Sequence, residues 1–199
     1  MFLEEKYNGG KVLSIFDLDD TIFISSAKTK VIDAKGRVIQ RFGTEGRSKY
    51  KLKPGEQFDF SEYGSSKHFY DTATPIDKML RRAKLLVRYQ SKDSKTVIIT
   101  ARSDLDNKEV FLQKFRNHGF PIDDVHVHRA GNIIDLESPA AKVVFIKKYL
   151  KTGLYNKSRM WDDHSNNLDA FLSLKKTFPD IEFEAYKVNP DTGDTTRYS

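Results

Sequence analysis

The sequence predicts an α/β domain with a mostly parallel sheet flanked by helices. From about residue 75 onward, short apolar runs of strand character alternate with helical stretches, the order expected of a parallel sheet. The carboxyl ends of those runs collect Asp, Thr and Arg, and in open α/β sheets that rim is where ligands bind. A chain of 199 residues is long enough for one well-buried domain carrying an insertion and short for two, so residues 1–199 are expected to form a single unit.

Strands are expected at 11–16, 96–100, 125–128, 159–161 and 181–188. The first helix follows "TPIDKMLRRAKLLVRY": Thr74 is a candidate cap, Pro75 suits a first turn and Asp77 faces the positive end of the helix dipole. Ile76, Leu80, Ala83 and Val87 recur there at helical spacing. The second helix runs through "NKEVFLQKFRNHG" and ends at Gly119, a left-handed cap. The third starts after "ESPAAK" and stops near Gly153, and the fourth runs through "NNLDAFLSLKKTF" to Pro179. The tail "NPDTGDTTRYS" is polar and is expected to fray.

Residues 25–73 interrupt this rhythm. "TKVIDAKGRVIQRF" reads as a hairpin turning at residues 34–36, and the stretch after it has no clear period. Structureless loops of this length are uncommon in compact domains unless they cover or bind something, so the region is expected to be a flap or cap inserted between the first strand and the first core helix.

Composition narrows the chemistry. Hydrophobic residues at 38% and charged residues at 31% describe an ordinary globule, and no apolar run approaches bilayer length. "MFLEEKYNGG" carries an acidic pair where an export signal would be basic, so a cytoplasmic location is expected. With no cysteine, disulfides, thiolate metal sites and a cysteine nucleophile are excluded. The net charge of +6 favours an anionic partner.

The chemistry gathers at the strand ends. "FDLDDT" crowds Asp17, Asp19 and Asp20, which repel one another and are costly to hold near a dry core unless a cation visits. Asp17 and Asp19, two apart, share a face while Leu18 turns inward. "VIITAR" ends in Thr100, Ala101 and Arg102, "MWDD" in Asp162 and Asp163, and Lys142 opens the helix before the latter strand. Oxygen-only clusters of this kind suit Mg²⁺, which binds through one or two carboxylates plus substrate phosphate. Asp20 reads as a structural or cap residue and His126 and His128 as packing or surface residues; for His164, directly after the acid pair, support of that pair is the lesser of two readings beside a plain surface position.

These motifs carry a resemblance. "FDLDDT" resembles the first motif of the haloacid dehalogenase (HAD) superfamily, "VIIT" its second, Lys142 its third and "MWDD" its fourth, in the expected order. The match covers 11–21 and 95–188 and leaves the insertion outside it. It implies a Rossmann-like HAD core with a small inserted cap and a phosphatase mechanism. Asp17 would be the nucleophile forming an aspartyl-phosphate, and Asp19 the general acid and base. Thr100, with Thr21, Ala101 and Arg102, would bind substrate phosphate, and Lys142 would pair with the nucleophile. Mg²⁺ would sit on Asp17, the backbone carbonyl of Asp19 and Asp162, with Asp163 either a further ligand or the holder of a metal-bound water.

Within the superfamily, "TAR", "DD" and the small cap most resemble the phosphatase module of bacteriophage-type polynucleotide kinase-phosphatases; no GxxxxGK[ST] loop of a kinase half occurs. The cap interleaves Lys28, Lys30, Arg37, Arg41, Arg47, Lys49, Lys51 and Lys53 with aromatics, the composition of a nucleic-acid groove, although most of those rings are expected to pack as a mini-core. The resemblance implies a Mg²⁺-dependent phosphomonoesterase acting on a nucleotide or nucleic-acid 3'-phosphate. The alternatives are a phosphoprotein or small-metabolite phosphatase, since "DLDDT" also resembles a "DLDET" motif, and a module that binds phosphorylated ends without turnover.

Overall fold

Short apolar runs rich in Val and Ile form the strands, because such side chains pack well on a pleated surface. The computed structural model describes residues 11–133 and 136–199. The opening decapeptide, on which the cytoplasmic expectation rests, lies outside them. In chain order, β1 (Val12–Phe16) is followed by β2 (Phe23–Ile24), β3 (Thr29–Ile32), β4 (Val38–Phe42), α1 (Thr44–Lys49), β5 (Gln57–Asp59), α2 (Ser61–Gly64), α3 (Ser66–Thr72) and β6 (Thr74–Pro75). The remainder alternates: α4 (Asp77–Tyr89), β7 (Lys95–Thr100), α5 (Lys108–Asn117), β8 (His126–Arg129), α6 (Ser138–Leu150), β9 (Lys157–Asp162), α7 (Ser165–Ser173), β10 (Glu182–Val188) and β11 (Thr195–Tyr198).

The main sheet has the order β11-β10-β9-β1-β7-β8, parallel except for β11. Its central strands are covered on both faces, which is why they read as continuous apolar runs rather than as alternating ones. Phe16, Ile98 and Trp161 pack with Met79, Leu80 and Ala83 of α4 and Phe111 and Phe115 of α5. Ile15, Val97, Ile99 and Met160 face the other way, onto Ala141 and Ile146 of α6 and Leu168 and Phe171 of α7. The α/β architecture expected from the sequence is therefore present, and among the described residues no helix is long and apolar enough to cross a membrane.

Between β1 and α4 the chain makes two small sheets. The expected hairpin is β3 and β4, turned through Gly36 at φ 76°, and the stretch without a period supplies β5 as a third strand and the helices α2 and α3. β2 and β6 pair antiparallel and bring the two ends of the segment together. Phe69 of α3 is buried against Phe111 at 4.9 Å, and the Ser66 N–H donates to the Asp106 carboxylate at 2.8 Å, so the segment is fastened to α5 and the loop before it.

Three local expectations differ from the structure. Thr74 and Pro75 do not open α4: they pair with β2, and α4 starts at Asp77 with no side-chain cap. The third core helix begins at Ser138, inside "ESPAAK", with Pro139 in its first turn. The tail does not fray but returns through Gly193 (φ 67°) to form β11 on the edge of β10, where backbone pairing tolerates polar side chains.

On the opposite edge strand, His126 and His128 both meet the Tyr149 hydroxyl, at 2.9 and 2.7 Å. Burial, with His126, Lys148 and Arg129 nearby, pushes half-buried His128 down to about 4. An unfolded histidine titrates near 6.5, so the neutral ring contributes fully above that pH and stability falls as pH drops from about 6.5 to about 4. Urea midpoints across that window should decline less for His128→Phe than for the wild type; equal declines would assign the acid sensitivity elsewhere.

Candidate active site

β1 ends at the middle of the sheet, and Asp17 remains tied to β9 by its N–H on the Trp161 carbonyl at 3.0 Å. The chain then turns sharply, with the Leu18 carbonyl accepting from Ile22 at 2.9 Å and Phe23 at 3.1 Å. Asp20 takes φ 58° in this turn, a left-handed conformation that Asp tolerates better than most residues, and its carboxylate accepts from Ser25 N at 3.4 Å. Leu18 is buried beneath the turn. Asp20 is thus a structural residue, as its sequence position indicates.

Asp17, Asp162 and Lys142 meet in the interior. Lys142 Nζ, in the first turns of α6, donates to Asp17 Oδ1 at 2.6 Å and to Asp162 Oδ2 at 2.8 Å. All three side chains are buried. Asp162 is further held by His164 N at 2.9 Å and by Asn167 Nδ2 at 2.8 and 3.0 Å. Asn167, one turn into α7, is a residue that the sequence reading missed. The available signal is an amide five residues beyond the acid, at the start of the following helix.

Asp163 stands beside this group, its N–H donating to Thr21 Oγ1 at 3.2 Å. Thr21 is fully buried and joins the β1 turn to the end of β9. Thr100, at the end of β7, is also buried; its hydroxyl lies 3.5 Å from Asp19 Oδ2 and accepts from Arg102 N at 3.2 Å. Ala101 is exposed beside it.

Arg102 occupies an unexpected position. Its side chain is 1% exposed and forms a fork on Asp19, with Nε to Oδ2 at 2.9 Å and NH2 to Oδ1 at 2.7 Å. The remaining donors reach Ser25 Oγ at 2.9 Å and the Tyr63 carbonyl at 2.8 Å, while the Phe69 ring lies 4.9 Å from the guanidinium carbon. The backbone here is wedged against Gly131, where an added Cβ would meet the Ala101 carbonyl oxygen at 2.3 Å. The Asp19 carboxylate is thus held by the Arg102 guanidinium.

The electrostatics of the cluster are strongly perturbed by burial. Burial pushes Asp17 well above the usual carboxylate range; Lys142 opposes this, while Asp162, Asp163 and Asp19 add to it. Burial, then Asp162 and Asp20, pushes Asp163 up to about 7. Burial disfavours the Lys142 ammonium, but Asp162 and Asp17 outweigh it and hold the group above its ordinary value. One carboxylate oxygen from each of Asp17, Asp162 and Asp163 lies within 4.8 Å of the others, and three carboxylates against one ammonium leave surplus negative charge in a dry place. An all-oxygen donor set of this size could hold Mg²⁺.

Against solved structures, the chain matches the HAD domain of effector protein Lem4 from Legionella pneumophila, with 14% identity and a TM-score of 0.50 over 91% of this chain and 88% of that one. The fold is HAD-like. An inactive mutant of the same domain matches with 12% identity and a TM-score of 0.51, over 91% and 87% of the two chains. No family model matches the sequence. No curated protein matches it either. The HAD-like likeness is one of fold, and in this chain the buried Lys142 bridge lies at the carboxyl rim of the parallel sheet.

Proposed function

We propose that the protein is a Mg²⁺-dependent phosphomonoesterase that works through an aspartyl-phosphate at Asp17. The observation that carries this reading is the Lys142 bridge between Asp17 and Asp162 at the carboxyl end of the central strands. A carboxylate approaching a phosphate dianion to about 4 Å meets roughly 4 kcal/mol of repulsion per charge pair at an effective dielectric near 20, about three decades of rate. Lys142 offsets part of that. Asp17, Asp162 and Asp163, with the Asp19 carbonyl, would hold Mg²⁺, which would neutralise the rest and polarise the phosphoryl oxygens.

Asp17 Oδ attacks phosphorus, the bond from phosphorus to the leaving oxygen breaks, and that oxygen takes a proton from Asp19. Asp19 then takes a proton from water as the water attacks the aspartyl-phosphate, releasing inorganic phosphate and regenerating Asp17. The Thr100 hydroxyl and the N–H groups beside exposed Ala101 bind phosphoryl oxygens, while buried Thr21 braces the two acid-bearing loops.

Arg102 acts on the reaction through Asp19. As an acceptor in the Arg102 fork, Asp19 is oriented for the base half of the cycle. The acid half requires that fork to loosen, and Ser25 and Tyr63, which anchor the same guanidinium, give the inserted segment control over it. Arg102→Lys keeps one charge but cannot reproduce the fork, so kcat should fall about 100-fold with KM little changed. A raised KM with unchanged kcat would instead make Arg102 a substrate contact.

The proposed substrate is a phosphate monoester on a nucleotide or a nucleic-acid 3' end. In the segment between β1 and α4, Lys30, Arg37 and Arg41 are engaged by Asp59, Asp33 and Glu62, which removes part of the basic stripe. Lys28, Lys49, Lys51 and Lys53 have no ion pair among the described residues, and Arg47 lies over exposed Phe60 at 5.7 Å. Phe42, Tyr50, Phe58 and Phe60 otherwise meet one another at tilted or edge-on angles, as partly exposed rings rather than a buried mini-core. Phosphate release should be measured with Mg²⁺ and with EDTA on nucleoside monophosphates, 3'-phosphorylated oligonucleotides, p-nitrophenyl phosphate and phosphopeptides. Preference for the first two supports the reading; preference for phosphopeptides rejects the nucleic-acid part, and inertness on all rejects turnover.

A further inference from the structure

Lys78, Arg81, Arg82 and Leu85 of α4 face a cleft of about 440 Å³ whose far wall is Arg159 and Trp161 of β9. Residues spaced i, i+3, i+4 and i+7 share one helix face, so helical spacing alone brings these three cations together. Their charges are unevenly met. Lys78 Nζ lies 2.7 Å from Asp194 Oδ1, and Arg159 Nε lies 2.8 Å from Glu184 Oε2. Arg82 donates to the neutral Thr195 hydroxyl at 2.9 Å, and its guanidinium lies 5.9 Å from the Trp161 ring centroid. Arg81 has no ion pair or hydrogen bond among the described residues. Two guanidinium groups therefore border the cleft without a counter-charge.

The cleft wall carries a second irregularity. Trp161 is buried and stacked between Phe16 at 4.6 Å and Tyr186 at 5.3 Å, with interplanar angles of 9° and 11°, so both of its ring faces are covered. Its indole N–H is buried with no acceptor among the described residues. Buried donors are almost always paired, but this one is sealed from the cleft, so the groups the cleft offers to a ligand are the Arg81 and Arg82 guanidinium groups.

We propose that this cleft binds the phosphate group of a nucleotide-sized ligand. Guanidinium forks match phosphate geometry, and two forks without a counter-charge suit an anion with three acceptor oxygens better than a carboxylate with two. The volume lies within the range of small-molecule sites, and Leu85 offers an apolar wall for the rest of the ligand, since the Trp161 faces are taken. The site is one residue from Asp162 in sequence but on the α4 face of the sheet, so it does not depend on the proposed hydrolysis.

Trp161 is the sole tryptophan in the chain, so its fluorescence reports directly on the cleft. Inorganic phosphate, adenosine monophosphate and an oligonucleotide without terminal phosphates should each be titrated into the full chain in EDTA. The expected result is a saturable emission change whose half-saturation rises about tenfold or more in Arg81→Ala and Arg82→Ala. Asp17→Asn should titrate like the wild type, and Arg81→Ala should keep the wild-type rate on p-nitrophenyl phosphate. A response to phosphate and the mononucleotide supports the proposal; a response to the oligonucleotide alone would overturn it in favour of a strand's phosphodiesters. No saturable change with any probe, a change unaffected by both arginine substitutions, or one lost in Asp17→Asn would overturn the proposal.

Discussion

Asp17→Asn should lower phosphate release by at least about 10³-fold while leaving the protein folded. The substitution removes the attacking oxygen but keeps the side-chain shape, and Lys142 retains Asp162 at 2.8 Å. Because burial and the neighbouring acids already push Asp17 upward, the charge is held at a cost in the absence of a cation. The variant in EDTA should therefore melt at the wild-type temperature or above it. Two assays decide the matter: Mg²⁺-dependent phosphate release, lost in wild type on adding EDTA and regained with Mg²⁺, and thermal unfolding. Activity within tenfold of wild type would place the nucleophile elsewhere.

Lys142→Met should be the most destabilising change at the site. It removes the ammonium that bridges Asp17 and Asp162 and leaves two buried carboxylates facing each other without a counter-charge. Breaking a buried pair costs about 3–5 kcal/mol, and in a chain of this size each kcal/mol moves the melting temperature by about 2–4 °C. The expected result is a drop of roughly 6–20 °C in EDTA. Asp17 and Asp163 have folded-state values above their unfolded ones, so they can relieve the strain by holding protons at low pH and not at high pH. The deficit should accordingly be larger at pH 8 than at pH 6. Mg²⁺ should restore part of the lost stability, since a cation bound to the folded state alone adds about 2.7 kcal/mol at 100 times its dissociation constant. Turnover should remain at least about tenfold down even with Mg²⁺, since Lys142 offsets part of the roughly three decades of charge barrier. A variant that melts like wild type in EDTA at both pH values would mean that the three groups are not a coupled charge cluster.

The strands and the acid-bearing rim were legible because their signals are local. β1, β7 and β9 lie buried on both faces, so their sequences cannot alternate, and the Asp and Thr residues that end or follow them stand out against the apolar runs. The polar tail misled because an edge strand gains its order from backbone pairing rather than from side chains. "NPDTGDT" nevertheless held the turn residues of a hairpin. Thr74 and Pro75 misled for a related reason: pairing with Phe23 and Ile24, far away in sequence, overrode a good local cap.

The sequence by itself determined the α/β architecture and the strand-end position of Asp17, Asp162 and Asp163, because hydrophobic periodicity and strand ends are written residue by residue, while Lys142 joined the group through the resemblance of the motifs. Only the tertiary structure decided what Arg102, Asn167 and Trp161 do. Arg102 meets Asp19 across 83 residues of chain, Asn167 reaches Asp162 from the next helix, and Trp161 lies under the α4 cations. A side chain's partner is set by which elements close over it, and that closure is a property of the packed core rather than of any local stretch.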